Sequence, residues 1–110
     1  MDKPKLAFVF PGQGTQTPGM GQDLFDEFDT ARAVFKAADD RLGFAISQLC
    51  FDGPEEKLKE TAIAQPAIVT VSLATLAAAR DMEVLPQADF LAGHSLGEYT
   101  ALAASGALDF

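Results

Sequence analysis

The sequence has 110 residues, of which 48% are hydrophobic and 22% are charged, a balance typical of a globular domain or of part of a larger one. Its net charge of −8 and its eight scattered Lys and Arg residues argue against nucleic acid and anionic membranes as partners, because phosphate binding needs clustered cations. The single cysteine excludes an internal disulfide and favours a reducing, cytoplasmic setting, and no Cys or His cluster has metal-site spacing.

The first part of the chain predicts a strand, a loop and two helices. Residues 5–10 are almost continuously apolar, which is typical of a parallel-sheet strand covered on both faces. The run ends at the loop PGQGTQTPGMG, which is rich in Gly and Pro. Residues 23–42 carry apolar side chains at helical spacing, with Asp29 or Thr30 as the predicted cap between two helices and Gly43 as the predicted end.

A turn at Asp52-Gly53-Pro54 divides the helical region. Before it, the apolar segment AISQLCF predicts that Cys50 is a buried, unreactive thiol; a reactive thiol is the less favoured alternative. After it, residues 55–60 predict a short exposed helix.

The second half predicts a long helix, a second strand and a final helix. Residues 65–82 predict a buried helix with Pro66 in its first turn, where proline is tolerated. Residues 61–79 lack charge and approach the length of a membrane span, but their Gln, Pro, Ser and Thr residues favour the core helix of a soluble protein. Residues 89–92 predict a strand after the break at Pro86, and residues 95–105 predict a helix. This order predicts an α/β fold with a parallel sheet.

The segment Gly93-His94-Ser95-Leu96-Gly97 is a G-x-S-x-G pattern between the second predicted strand and the last predicted helix. Such a turn strains the serine and exposes its hydroxyl. The two flanking positions lie so close to neighbouring backbone that a side chain there would clash, so both need glycine. The first helical amides, beginning at Leu96, would have no intrahelical partner and could stabilise an oxyanion. Ser95 and Glu98 also form a capping box, so from this segment alone a simple helix cap remains an alternative.

His94 is the only histidine in the sequence. Side chains that are adjacent in the chain do not face each other at such a turn or on a helix. We therefore predict an orienting or packing role for His94, and the base that should activate Ser95 is missing from the sequence.

The loop at residues 11–21 follows the first strand, at the edge where α/β sheets bind ligands. Thr17 replaces the third glycine of a dinucleotide fingerprint, and Met20 replaces the lysine of a phosphate loop. A structural turn is one interpretation. The other is that the loop lies beside the serine turn and supplies a second oxyanion donor, for which Gln13, between two glycines, is the candidate.

Three segments in order, FVFPGQGTQ, TAIAQPA and GHSLGEYTAL, resemble malonyl-CoA:acyl-carrier-protein transacylases and the acyltransferase domains of fatty-acid and polyketide synthases. The resemblance runs over the whole chain, including the GALDF that follows the last predicted helix. It implies the N-terminal part of an α/β-hydrolase-like acyltransferase core, with parallel strands and a nucleophile elbow.

The resemblance also implies the chemistry. Ser95 would take malonyl from coenzyme A and pass it to the phosphopantetheine thiol of acyl carrier protein through an acyl-serine ester. The amides of Gln13 and Leu96 would form the oxyanion hole, and Gln65 and His94 would lie near the acyl group. The coenzyme A thioester is a substrate, and no cofactor is implied.

In that family the histidine base, the arginine that pairs with the malonyl carboxylate and a ferredoxin-like subdomain all come from beyond the elbow helix. We therefore expect residues 1–110 to be the N-terminal portion of the domain, inactive in isolation, with the remainder supplied elsewhere, for example by a second chain. Two alternatives stay open. A serine esterase or thioesterase would not need GQGTQ after the first strand, and a non-catalytic fragment would share every motif but lack activity.

Overall fold

The computed structural model describes residues 7–12, 14, 16–82, 90–93, 100 and 103. Within them the elements are β1 (Ala7–Phe10), α1 (Gln22–Glu27), α2 (Asp29–Leu42), α3 (Ile46–Asp52), α4 (Glu55–Leu58), α5 (Thr61–Asp81) and β2 (Phe90–Gly93). The two strands pair in parallel, so the helices between them form the crossover. The predicted α/β arrangement with a parallel sheet is confirmed.

β1 is covered on one face only. Phe10 is buried and Phe8 is half-buried, whereas Ala7 is exposed and the Val9 side chain is 76% exposed. Alternate side chains of a strand point to opposite faces, so Ala7 and Val9 share the open face. The prediction of a strand covered on both faces is therefore wrong for the described part of the chain, because no described element lies over that side.

The division of residues 23–42 into two helices is confirmed, but the break lies at Phe28. Its extended backbone separates α1 from α2, and no side chain caps α2, so the prediction of a cap at Asp29 or Thr30 is wrong. Asp29 is instead the first residue of α2, where a negative charge favours the helix, and it pairs with Arg32. Gly43 ends α2 as predicted, in the left-handed region with φ of 77°.

Two short helices follow α2. No local pattern predicts α3, whose first turn is held by Asp39: its carboxylate accepts from the Ser47 amide at 2.9 Å and from the Ser47 hydroxyl at 2.6 Å. The prediction of an exposed helix at α4 holds for its Glu and Lys residues, but Leu58 is fully buried. Both helices therefore contribute to the core.

α5 begins at Thr61, four residues before the predicted start, so Pro66 lies beyond the first turn. Proline there removes one helical hydrogen bond. One side of α5 is buried against α2 and α3, and the other is open, with Thr75 exposed. By length and composition α5 could cross a membrane, yet 39% of its most apolar window is buried in the fold. The prediction of a core helix is thus confirmed for one side only.

The core lies between α2, α3, α4 and α5. The buried ring of Phe35 is packed by the half-buried rings of Phe25 and Phe51, with ring centroids 5.1–5.8 Å apart and steeply inclined planes. Such pairs favour edge-to-face contact and add stabilisation beyond the area they bury. The alanine side chains that α2 and α5 present to each other allow the two helices to approach closely. The buried residues of this core cluster are Ala31, Phe35, Ala38, Ile46, Cys50, Leu58, Ala67, Ala74 and Ala78.

Candidate functional site

The carboxyl ends of β1 and β2 lie side by side. Phe10, the last residue of β1, is the register partner of Gly93, the last residue of β2. Paired strands are about 4.8 Å apart, so the chain leaves the sheet at two neighbouring points. Open α/β sheets bind their ligands at this edge. The glycine-rich loop and the G-x-S-x-G segment therefore start from the same place.

Most of the predicted site residues lie outside the described residues; these are Gln13, His94, Ser95 and Leu96. Their roles stay predictions. The structure describes their chain neighbours: Gly12 and Gly14 on either side of Gln13, and Gly93 immediately before His94.

The loop after β1 is fastened to the two short helices. The Gly19 amide donates to the Cys50 carbonyl at 2.8 Å, and Gln16 Nε2 donates to the Leu58 carbonyl at 3.3 Å. Both carbonyls belong to the last turns of α3 and α4, where carbonyls lack a partner within the helix. The loop is therefore fixed to the helical layer at two points.

Within the loop, the chain turns sharply at Gly14. Its φ is +109°, and a Cβ there would have no atom within 4 Å, so glycine is required by backbone conformation and not by space. The Gly14 amide donates to Gln16 Oε1 at 2.8 Å. Gly12, in contrast, is buried. The residue between them, Gln13, is thus flanked by one buried and one exposed glycine.

Gln16 is a candidate site residue that no sequence motif indicates. Its carboxamide joins Gly14, two residues before it, to Leu58, which is 42 residues away. A local signal does exist, because a polar side chain close to a turn commonly accepts from a nearby loop amide. The distant partner has no local signal.

Gln65 is the predicted site residue that the structure describes. It is exposed, and on α5 it lies three residues before Ile68, on the same stripe of the helix. A helix that crosses over between parallel strands runs opposite to them, so the beginning of α5 lies towards the strand carboxyl ends. The place of Gln65 near the acyl group stays a prediction.

An apolar groove of about 640 Å³ runs between β1 and α5. It is lined by consecutive residues of β1, by Pro11 and Met20 of the loop, and by residues of α5 between Ile68 and Ala79. Ser72 and Thr75 are the polar side chains of its described lining, and Thr75 Oγ1 already donates to the Val71 carbonyl at 2.8 Å. The groove suits apolar surface and not an ionic ligand.

Cys50 is buried, as predicted. Burial, and to a lesser degree the carboxylate of Asp39, raises the pKa of the Cys50 thiol to about 12. A thiol that stays protonated is a poor nucleophile, so Cys50 has a packing role. Among the described residues no three His, Cys, Asp or Glu side chains are placed to hold a metal ion.

Known proteins match this chain over nearly its whole length. The sequence profile described as "Acyl transferase domain" matches residues 7–109. The malonyl CoA-acyl carrier protein transacylase of Bacillus subtilis (strain 168) is 48% identical over 106 residues, which are 96% of this chain and 33% of that protein.

Solved structures agree with these sequence matches. The malonyl CoA-acyl carrier protein transacylase from Clostridium perfringens superposes with a TM-score of 0.89 at 43% identity, covering 96% of this chain and 33% of that one. A solved structure of a type II PKS acyl-carrier protein in complex with its malonyl-transacylase also matches, with a TM-score of 0.89 at 40% identity, covering 96% of this chain and 34% of that one. The chain thus spans about a third of the length of these relatives.

Proposed function

This chain belongs to the acyl transferase domain family, and on that premise we propose that it carries the nucleophile of a malonyl-CoA:acyl-carrier-protein transacylase site. Ser95 attacks the thioester carbonyl of malonyl-CoA, and coenzyme A leaves as its thiol. The phosphopantetheine thiol of acyl carrier protein then attacks the Ser95 ester and takes the malonyl group. The register of Phe10 with Gly93 is the observation that carries this proposal, since it brings the two motif segments to one edge of the sheet.

The proposed oxyanion hole uses one amide from each segment. Leu96 follows the nucleophile, and Gln13 lies in the loop after the neighbouring strand, which is the arrangement of two donors used by serine enzymes with a nucleophile elbow. One such donor contributes about 3–4 kcal/mol to the transition state. The alternative that Ser95 is only a helix cap would leave the glycine-rich loop without a role at this edge.

The general base and the cation for the malonyl carboxylate come, in this proposal, from outside these 110 residues. His94 is the only histidine and adjoins the nucleophile in the chain, so it orients or packs. Among the arginines, Arg32 already pairs with Asp29 and stacks on Phe25. We assign Arg32, Arg41 and Arg80 to solvated faces.

We further propose that these residues form the N-terminal portion of an α/β-hydrolase-like core, completed by segments that include the ferredoxin-like subdomain. Two observations support this. The chain spans about a third of its relatives' length, and its groove and the open face of β1 are apolar surface of the kind that larger domains cover. In isolation the 110 residues would lack a complete site.

The test is acyl loading of the whole natural protein that contains these residues. After mixing with malonyl-CoA, intact-mass and peptide mass spectrometry should find one malonyl group, on Ser95. Ser95→Ala should abolish the label, whereas Ser72→Ala, which removes a hydroxyl from α5, should retain it. Adding phosphopantetheinylated acyl carrier protein should move the malonyl group to the carrier.

Two results would contradict the proposal. Free malonate in place of malonylated carrier would identify a thioesterase. Absence of any label on Ser95 in the whole protein would show that Ser95 is not the nucleophile.

A further inference from the structure

We propose that Gln16 is a positioning residue for acyl transfer, which holds the loop peptide next to Gln13 by clamping Gly14 to the end of α4. The inference rests on the proposed function, because it concerns the oxyanion donor assigned there to Gln13. It adds a residue that acts through another and does not touch the substrate.

The clamp uses both ends of one carboxamide. Gln16 Oε1 accepts from the Gly14 amide at 2.8 Å, and Gln16 Nε2 donates to the Leu58 carbonyl at 3.3 Å. The Leu58 side chain is fully buried, so the carbonyl that receives this bond belongs to a residue anchored in the core. Gly14 cannot move relative to α4 without losing at least one of the two bonds.

The clamp reaches Gln13 through the backbone. Because peptide units are planar, a hydrogen bond to the Gly14 amide also restrains the peptide link that joins Gly14 to the residue before it. On the other side of Gln13, Gly12 is buried and has a partner of its own. Both glycines that flank residue 13 are therefore held by hydrogen bonds or other contacts.

Glycine makes the clamp necessary. Gly14 adopts φ of +109° with open space around it, and glycine reaches many other conformations almost as readily. Among the described contacts, the hydrogen bond to Gln16 is the one that selects the observed turn at Gly14. The side-chain amide supplies the restraint that the glycine lacks.

The remainder of the loop does not depend on Gln16. The Gly19 amide is bound separately to the Cys50 carbonyl, and Gly21 packs on Phe35. Loss of Gln16 should therefore loosen the part of the loop around Gln13 and leave the fold intact. Because a donor displaced by about 1 Å can lower a rate about 100-fold, a change in kcat is expected without a comparable change in stability.

The experiment compares two substitutions in the whole natural protein. Gln16→Met removes both hydrogen bonds at similar size, and Gln16→Glu retains an acceptor for Gly14 but loses the donor to Leu58. Gln48→Met is the matched control, because Gln48 also donates through Nε2, to Asp52 at 2.8 Å, on the exposed side of α3. Measurements are kcat and KM for malonyl transfer, Ser95 labelling and the melting temperature.

The expected result is a fall in kcat of about 10- to 100-fold for both Gln16 variants, with KM for malonyl-CoA nearly unchanged and the melting temperature close to that of Gln48→Met. Loss of an interaction that is made only in the transition state lowers kcat and leaves KM unchanged. Gln48→Met should transfer malonyl at the wild-type rate.

The outcomes separate the two proposals. Wild-type protein that labels Ser95, together with Gln16 variants of normal kcat, overturns the role of Gln16 and leaves the proposed function standing. A fall in kcat matched by a large fall in melting temperature in both variants assigns Gln16 to stability and overturns it as well. Wild-type protein that never labels Ser95 overturns the proposed function, and the inference with it.

Discussion

The ring of Phe35 closes directly over Gly21, so that a Cβ at position 21 would lie 2.8 Å from Phe35 Cζ. Phe35 is fully buried in the aromatic cluster, and Gly21 is the last residue before α1. The loop after β1 therefore ends on the centre of the hydrophobic core. A change in core packing should be felt by the loop, and a change at the end of the loop should be felt by the core.

The first prediction compares alanine at two glycines of this loop. Both have positive φ, +80° at Gly21 and +92° at Gly19, so alanine is strained at either by about 1–2 kcal/mol. Gly21→Ala must also displace the Phe35 ring, which adds about 1–3 kcal/mol, whereas position 19 is open. Urea unfolding of the whole protein should show the larger loss of unfolding free energy for Gly21→Ala. Equal losses would mean that the ring moves aside freely.

The second prediction concerns alkaline pH and Cys50. Its pKa is raised from 9.0 to about 12 by burial and by Asp39. Below pH 9 the thiol is protonated in both states; between pH 9 and 12 only the folded state retains the proton, so unfolding becomes easier as pH rises. This thiol should lower the unfolding free energy by up to about 1.4 kcal/mol per pH unit in that range.

The comparison that isolates this effect is wild type against Cys50→Ala, since other groups also titrate at alkaline pH. The difference in unfolding free energy between the two proteins should shrink as pH rises above 9. A difference that is constant with pH would show that the thiol titrates alike in both states.

The third prediction concerns the open face of β1. We expect the isolated 110-residue chain to associate, because Val9 is 76% exposed beside an apolar groove and β1 has an edge that no described strand pairs. Val9→Lys should increase the monomer fraction in sedimentation velocity. Gln48→Lys changes the net charge equally on a distant surface and should not. A monodisperse, cooperatively melting wild-type chain would contradict this expectation.

The fourth prediction concerns Gln65, which is exposed near the beginning of α5. If its amide bonds to the acyl group, Gln65→Ala in the whole protein should lower kcat/KM for malonyl-CoA by about threefold to tenfold, as expected for one neutral hydrogen bond. Gln48→Ala, an exposed glutamine on α3, is the control and should have no effect. An unchanged kcat/KM for Gln65→Ala would remove this residue from the site.

Sequence predicts best the features that depend on near neighbours. The apolar runs at β1 and β2 predict two parallel strands, and Gly43 predicts the end of α2, because a left-handed residue without a Cβ suits that position. The family resemblance also rests on short continuous motifs, and the profile match over residues 7–109 confirms it.

The features that sequence misses depend on residues far apart in the chain. α3 starts where Asp39 reaches Ser47, eight residues away, and Gln16 acts through Leu58. The start of α5 at Thr61 is missed for another reason, because no capping side chain marks it. Pro66, which is common in the first turn of helices, instead predicts a start that lies too late. For the G-x-S-x-G segment, sequence supplies the residue types, and the register of the strands sets its first residue, Gly93, beside Phe10.

The hydrogen bond from the Gly19 amide to the Cys50 carbonyl has a practical consequence. The Gly19 amide can exchange its proton for deuterium only when the loop and α3 separate, so this single amide reports local opening between them. Followed by NMR in the whole protein, its protection factor would record when the segment that precedes α1 detaches from the helical layer, without any added probe.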